Sequence, residues 1–155
     1  MTMNTIQRKS PTTIEQIAYV SLLRVADDLS WDLIELLKPV DLTPAQYNVL
    51  RILRGAEPDG LACRDVGERL INRDPDVTRL LDRLEKRSLV QRSREKKDRR
   101  VITVRITEQG HKLLKDLDRP IEALHKKQFD QLSHRQIETL ISLLEKVKPC
   151  KQQTA

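Results

Sequence analysis

The sequence concentrates its positive charge in one short segment, residues 91–105. This segment holds seven arginines or lysines and two acids, so it carries +5 of the chain's formal net charge of +6. Clustered arginine and lysine residues neutralise nucleic-acid phosphates and release condensed counterions. The segment therefore favours binding to a polyanion, although charge alone equally fits a basic hairpin that only aids solubility.

Residue types that perform catalysis or bind metals do not occur at the spacings those functions need. Three histidines, His111, His125 and His134, lie in the C-terminal third, and Cys63 and Cys150 are distant from them in sequence. Nucleophilic catalysis needs a base beside the nucleophile, and a zinc site needs closely spaced His and Cys ligands. The four glycines form no phosphate-binding loop. We therefore expect neither an enzyme nor a cofactor.

Length and composition indicate one cytoplasmic, mainly helical protein. The chain has 155 residues, of which 38% are apolar and 34% charged. No apolar run approaches the roughly 18 residues of a membrane span, and the start lacks the apolar centre of a secretory signal. Two cysteines do not make a disulfide framework. Because the aromatic residues are one Trp, two Tyr and one Phe, single-strand binding by base stacking is disfavoured.

Long amphipathic helices are predicted at both ends of the chain. Apolar residues at 3.6-residue spacing predict a helix over residues 12–38 and further helices over 108–148, with Thr107 and Ser133 as caps. Pro39 ends the first helix. These helices have more apolar face than a module of about 80 residues can cover, so we expect a twofold homodimer. The expected dimerisation residues include Ile14, Ile17 and Ile121.

The middle of the chain predicts a helix, a turn, an amphipathic helix and a β-hairpin. One helix begins at Thr43, and a short helix follows over about 63–71. Asp74 caps the next helix, with a proline in its first position. Two β-branched runs, 89–92 and 101–106, are joined by a polar loop and predict a two-stranded hairpin.

This order is typical of a winged helix-turn-helix domain over residues 43–107, with the helix-turn-helix at about 63–87 and the wing at 89–107. An α-helix fits the major groove of duplex DNA, and a basic hairpin beside it can enter the neighbouring minor groove. An ordinary helical domain with one surface hairpin has the same order of elements.

Three segments resemble MarR-type transcriptional regulators. Residues 98–110 match the D-x-R-x-x-x-V-x-[LI]-T-x-x-G wing signature at every fixed position, residues 42–47 match L-T-x-x-Q-[FWY], and residues 77–85 resemble the recognition helix. The resemblance covers about residues 12–147. It implies a triangular homodimer that binds a palindromic operator in double-stranded DNA, usually as a ligand-responsive repressor.

The resemblance assigns roles along the recognition helix. Arg79 occupies a position at which family members usually read a base, and a guanidinium can bridge guanine O6 and N7. Thr78 and Asp76 lie beside it. Asp76 either accepts from cytosine or only stabilises the helix N-terminus. Arg73 and Arg83 are candidates for phosphate contacts.

In the wing, Arg100 is the position at which the family reaches the minor groove, and Asp98 by resemblance orients an arginine. The remaining candidates for contacts with the DNA backbone are Arg94, Lys96, Lys97 and Arg99.

The chain departs from the family pattern at two turns. Ser88 stands where a glycine usually follows the recognition helix. Since serine tolerates a left-handed cap poorly, we expect this turn to differ. Ala62 stands where a Ser or Thr often caps the preceding helix, which weakens that helix start.

Regulation has several possible routes. The family implies a small aromatic or phenolic effector, for which Trp31 and Tyr47 either line a pocket or are plain core residues. Cys63 begins a helix, which can lower a thiol pKa and permit redox sensing, although an inert packed thiol fits as well. A helical protein-interaction module is the alternative that involves no DNA.

Overall fold

The computed structural model describes residues 12–71, 76–94 and 100–147. Within these ranges the chain is mainly helical, with a short 3-10 turn at Lys38–Val40 and a small antiparallel sheet. No helix in these ranges is long and apolar enough to span a membrane. The helices are α1 (Ile14–Leu37), α2 (Pro44–Gly55), α3 (Cys63–Arg69), α4 (Val77–Lys86), α5 (Glu108–Gln128) and α6 (His134–Lys146), and the strands are β1 (Leu61–Ala62), β2 (Val90–Arg94) and β3 (Ile102–Ile106).

Hydroxyl caps define the starts of the long helices. Thr13, Thr43 and Ser133 each accept a hydrogen bond from the N–H three residues later, where a glutamine side chain bonds back to the cap. Thr107 caps α5 by accepting from the Gly110 N–H at 3.1 Å. Each cap satisfies donors that the first helical turn leaves unpaired. The predicted caps at Thr43, Thr107 and Ser133 are confirmed.

The cap of α4 differs from the prediction. Asp76, rather than Asp74, is the cap, and Val77 is the first helical residue. The Asp76 Oδ1 accepts from the Arg79 N–H at 3.0 Å. Because aspartates two positions apart are both good caps, the sequence pattern does not choose between them. Asp74 itself lies outside the described residues.

The sheet has three strands rather than the predicted two. Its order is β1-β3-β2, with Leu61 opposite Val104 and Ala62 opposite Thr103. Gly60, at φ 75°, leads into β1, and a Cβ there would lie 2.4 Å from the Val104 carbonyl oxygen. This close approach of two backbones requires glycine. A strand of two residues has no alternation by which the sequence could predict it.

One apolar core joins the helices to the sheet. Full burial of a leucine contributes about 1.5–3 kcal/mol, so this cluster is the main stabilising feature of the chain. It packs α4 and β3 against α2 and α5. Its fully buried members are Leu37, Val49, Leu50, Leu53, Val66, Leu81, Leu84, Val104 and Leu114.

The predicted dimerisation residues separate into two groups. Ile14 and Ile17 are 76% and 55% exposed on α1, whereas Ile121 is 3% exposed and belongs to the chain's own core. Helical periodicity identifies an apolar face but does not say whether the same chain or a second copy covers it. Ile121 is therefore a core residue and not part of an exposed face.

The turn after α4 is left-handed despite its serine. Ser88 has φ 56°, its N–H donates to the Glu85 carbonyl at 2.8 Å, and the Leu89 N–H donates to the Leu84 carbonyl at 3.0 Å. This is the Schellman arrangement, which usually has glycine at this position. The expectation of a different turn is therefore wrong. The Thr107 hydroxyl also donates to the Ser88 carbonyl at 2.6 Å, which links this turn to the start of α5.

Candidate nucleic-acid interface

Helix α4 has one buried face and one exposed face. Leu80, Leu81 and Leu84 are buried in the core, while Arg79 and Arg83 are exposed. Residues four apart lie on the same side of a helix, so the two arginines form a basic ridge. The predicted recognition helix thus has the amphipathic form that groove binding requires.

The two ends of the exposed face carry different groups. Thr78 is exposed in the first turn of α4. Asp76 is also exposed, but one of its carboxylate oxygens caps the helix, which favours the interpretation that it stabilises the N-terminus. At the other end, the Arg87 Nη2 donates to the Val40 carbonyl at 2.9 Å, and its Nη1 donates to the Asp41 carbonyl. Arg87 therefore ties the end of α4 to the turn that follows α1.

The wing contributes an exposed arginine at the end of β2 and another shortly before β3. Arg94 is the last residue of β2, and Arg100 lies shortly before β3; both are exposed. On the same hairpin, the Arg105 Nη1 donates to the Ser93 hydroxyl at 3.0 Å. The other predicted contact residues lie outside the described residues: Arg73, Lys96, Lys97, Asp98 and Arg99.

Arg92 has a role that charge counting did not find. Its Nε and Nη2 donate to Glu85 Oε2 at 2.9 and 2.6 Å, and its Nη2 also donates to Asp82 Oδ1 at 2.6 Å. Hydrogen bonds from Arg92 hold the pKa of Glu85 below its ordinary value. The sequence signal was present, since Asp82 and Glu85 are acids one turn apart on α4. Without the fold, however, nothing connected them to the wing.

A second ion pair connects α2 to α5. The guanidinium of Arg54 donates to both carboxylate oxygens of Asp118, at 2.9 and 3.0 Å. The hydrogen bond from Arg54 is the main reason that the pKa of Asp118 lies below its ordinary value. The pair fixes the middle of α5 relative to α2, the helix that precedes the helix-turn-helix.

An open cavity of about 830 Å³ lies between α1 and α4. Trp31 lines it, whereas Tyr47 is 7% exposed and belongs to the core. Tyr47 is therefore a core residue, whereas Trp31 is exposed at the wall of this cavity. The charged lining residues are Glu35, Lys38, Asp41, Arg83, Lys86 and Arg87.

Cys63 is half-buried at the first position of α3. Burial is the main reason that its thiol pKa lies above the ordinary value, which disfavours the reactive thiolate. Ala62 provides no side-chain cap there, as the sequence predicts. Among the residues that the structure describes, no three His, Cys, Asp or Glu side chains are grouped so as to hold a metal.

Comparison with known proteins agrees with this architecture. The sequence profile described as "Transcriptional regulator SarA/Rot" matches residues 32–117. The chain is 34% identical over 110 residues to the HTH-type transcriptional regulator SarZ of Staphylococcus aureus strain USA300, covering 70% of each protein.

Two solved structures have the same fold. A MarR transcription factor from Planctomyces limnophilus is 38% identical, with a TM-score of 0.68 over 89% of this chain and 100% of that one. A mutant of MarR from E. coli, complexed with operator DNA, is 29% identical, with a TM-score of 0.78 over 90% of this chain and 100% of that one. The family and these relatives are transcriptional regulators rather than enzymes, and the chain belongs to the SarA/Rot family of transcriptional regulators, with a MarR-type winged-helix fold.

Proposed function

We propose that this regulator binds double-stranded DNA sequence-specifically, through α4 in the major groove and the wing in the adjacent minor groove. The observation that carries this proposal is the basic ridge of Arg79 and Arg83 on the exposed side of a helix whose other side is fixed in the core. The similar E. coli protein is described in complex with operator DNA. The basic segment 91–105 supplies charge for phosphate contacts.

Individual roles follow from position. Arg79, in the first turn of α4, reads a base edge, with Thr78 beside it. Arg83 and Arg73 contact phosphates at the groove edge. In the wing, Arg100 enters the minor groove and Asp98 orients an arginine. Four further basic residues contact the DNA backbone: Arg94, Lys96, Lys97 and Arg99.

The same proposal includes a homodimer on a palindromic operator. Residues 12–38 and 108–148 form the dimerisation region, because α1 and α6 carry exposed apolar side chains that the chain itself leaves uncovered, among them Ile14, Ile17, Ile141 and Leu143. A self-complementary twofold interface covers such faces. It would also set two recognition helices about one DNA turn apart, ~34 Å.

Ligand-responsive repression in the cytoplasm completes the proposal. The cavity between α1 and α4 combines the indole of Trp31 with lysines and arginines, which suits a small aromatic or phenolic molecule with an anionic group. Arg83 and Lys86 lie on α4 itself. A ligand that binds this cavity more tightly when α4 is in one position increases the share of molecules with that position. It thereby changes the fraction of the protein that can bind DNA.

The test is binding of the full chain to duplexes selected from a random pool, measured by fluorescence anisotropy at several salt concentrations. We expect a preferred twofold-symmetric site, a dimer in solution and affinity that falls steeply with salt. Absence of salt-dependent duplex binding would overturn the proposal. In that case the exposed helices would favour the protein-interaction module instead.

A further inference from the structure

The guanidinium of Arg92 is held by two carboxylates of α4, those of Asp82 and Glu85. We infer that Arg92 is a positioning residue that fixes the wing against the recognition helix and does not contact DNA. The inference rests on the proposed DNA binding, but its first step is testable without DNA. We refer to Arg92, Glu85 and Asp82 together as the Arg92 cluster.

One carboxylate holds both the side chain and the backbone of Arg92. Glu85 Oε2 accepts from the guanidinium, while Glu85 Oε1 accepts from the Arg92 backbone N–H at 3.0 Å. The Arg92 side chain is only 24% exposed. Charge-assisted bonds to both ends of one residue leave it little freedom, so β2 cannot rotate or slide along α4 without breaking them.

The cluster also protects an exposed strand edge. β2 lies at the edge of the sheet, with β3 on its other side. The Arg92 N–H points away from β3 towards α4, and the Glu85 carboxylate accepts from it. An edge strand whose backbone N–H groups are unpaired can hydrogen-bond to water or to a strand of another molecule. The contact with Glu85 thereby attaches the outer strand of the wing to the helix that we propose reads the bases.

The position of the cluster explains why it matters for binding. Arg92 is opposite Val104, which is fully buried, and Arg94 follows two positions later on the same face of β2. Arg94 therefore extends from a point that is fixed to Glu85. If this point moves, the wing and Arg79 can no longer bind adjacent grooves of the same DNA duplex at the same time.

The cluster also reduces the electrostatic repulsion between α4 and DNA phosphates. Asp82 and Glu85 place two carboxylates on the helix proposed to lie against a polyanion. Arg92 offsets one of these two negative charges, and its Nη2 donates to both acids at 2.6 Å. Arginine suits this task because its donors form a rigid fork with a permanent charge.

The first experiment follows amide hydrogen exchange by NMR in the free full-length protein. Glu85→Ala should abolish the protection of the Arg92 amide while the amides that pair β2 with β3 keep theirs. Retained protection of the Arg92 amide in Glu85→Ala would overturn the inference. This result does not depend on whether the protein binds DNA.

The second experiment measures affinity and its salt dependence on the selected duplex. Glu85→Ala removes an acid from the DNA-facing helix, so simple charge predicts tighter binding, whereas the inference predicts roughly tenfold weaker binding. Glu68→Ala on α3 is the matched control, since Glu68 is also an acid paired with an arginine, Arg64. It should bind as tightly as the wild type or more tightly.

Two arginine variants separate positioning from contact. Arg92→Gln should weaken binding about as much as Glu85→Ala, leave the salt slope unchanged and add nothing further in the Glu85→Ala background. Arg94→Gln should instead reduce the magnitude of the slope of log affinity against log salt concentration by ~0.9, the value expected for the loss of one phosphate contact. A slope reduced by Arg92→Gln, or tighter binding by Glu85→Ala, would show that Arg92 is a DNA contact and overturn the inference. Wild-type protein that binds no duplex would refute the proposed function instead.

Discussion

Arg54 and Asp118 are joined by two parallel hydrogen bonds, between Nη1 and Oδ2 at 2.9 Å and between Nη2 and Oδ1 at 3.0 Å. Paired donors and acceptors of this kind fix orientation as well as distance. The pair connects α2 to α5, a helix of the proposed dimerisation region.

This pair predicts a pH-dependent contribution to stability. Arg54 lowers the pKa of Asp118 in the folded state, so the contribution is full above the unfolded value, about 3.9, and is lost as pH falls through the folded value. Because the side chains are 31% and 47% exposed, solvent screening limits it to about 0.5–1 kcal/mol.

Asp118→Asn should therefore reduce the free energy of unfolding by that amount at pH 7, and the difference from the wild type should disappear in acid. Urea denaturation at a series of pH values measures it. Asp116→Asn, an exposed acid on the same helix, is the control. An Asp118→Asn deficit that persists unchanged in acid would contradict the assignment.

The left-handed turn after α4 suggests that replacing Ser88 can stabilise the protein. Ser88 is held at φ 56°, a conformation that is unfavourable for residues with a Cβ. Ser88→Gly should raise the free energy of unfolding by about 0.5–1 kcal/mol, after allowance for the greater entropy of unfolded glycine. Ser88→Val should lower it. The measurement is chemical denaturation, and a less stable glycine variant would refute the strain argument.

Gly110 predicts the opposite response to an added methyl group. A Cβ there would lie 2.4 Å from the Leu89 carbonyl oxygen and 2.7 Å from Ile106 Cγ1. Gly110→Ala should destabilise the protein by about 1–3 kcal/mol through overpacking. At Gly55, a Cβ would meet nothing within 4 Å, so Gly55→Ala should be neutral or stabilising. Thermal unfolding of the Gly110→Ala and Gly55→Ala variants measures both changes in stability. Equal changes would show that the surroundings of Gly110 do not exclude a methyl group.

Arg79 predicts a change in sequence preference. Arg79→Ala should weaken binding to the selected duplex by about 1–3 kcal/mol and relax the preference at one base pair in each half-site. Arg119→Ala, at an exposed position on α5, should change neither affinity nor preference. Selection from a random pool with each variant measures both effects. A uniform loss on all sequences would identify Arg79 as a phosphate contact.

Local features were predictable from sequence, because their partners are near in the chain. The caps at Thr43, Thr107 and Ser133 each bond to an N–H three residues away, so sequence spacing contains the information. The apolar face of α4 was predictable for the same reason, since helical periodicity is local.

Features that depend on distant partners were not predictable. Periodicity did not reveal that Ile121 is covered by its own chain. A local choice was missed as well, because Asp74 and Asp76 are both suitable residue types for the cap of α4. Arg92 was counted with its basic neighbours, although Glu85, its partner, lies on another element. The exposure of Arg79 and Arg83 was predictable, because the exposed face of a helix follows from its buried face.

The short strand β1 has a consequence for synthesis of the protein. Leu61 pairs with Val104, and the core that supports α4 also needs Leu114 from α5. The ribosome releases α4 well before either of these later residues. During synthesis, α4 therefore lacks part of the core against which it packs. Folding from the N-terminus cannot complete the winged helix-turn-helix domain until the first residues of α5 have left the ribosome.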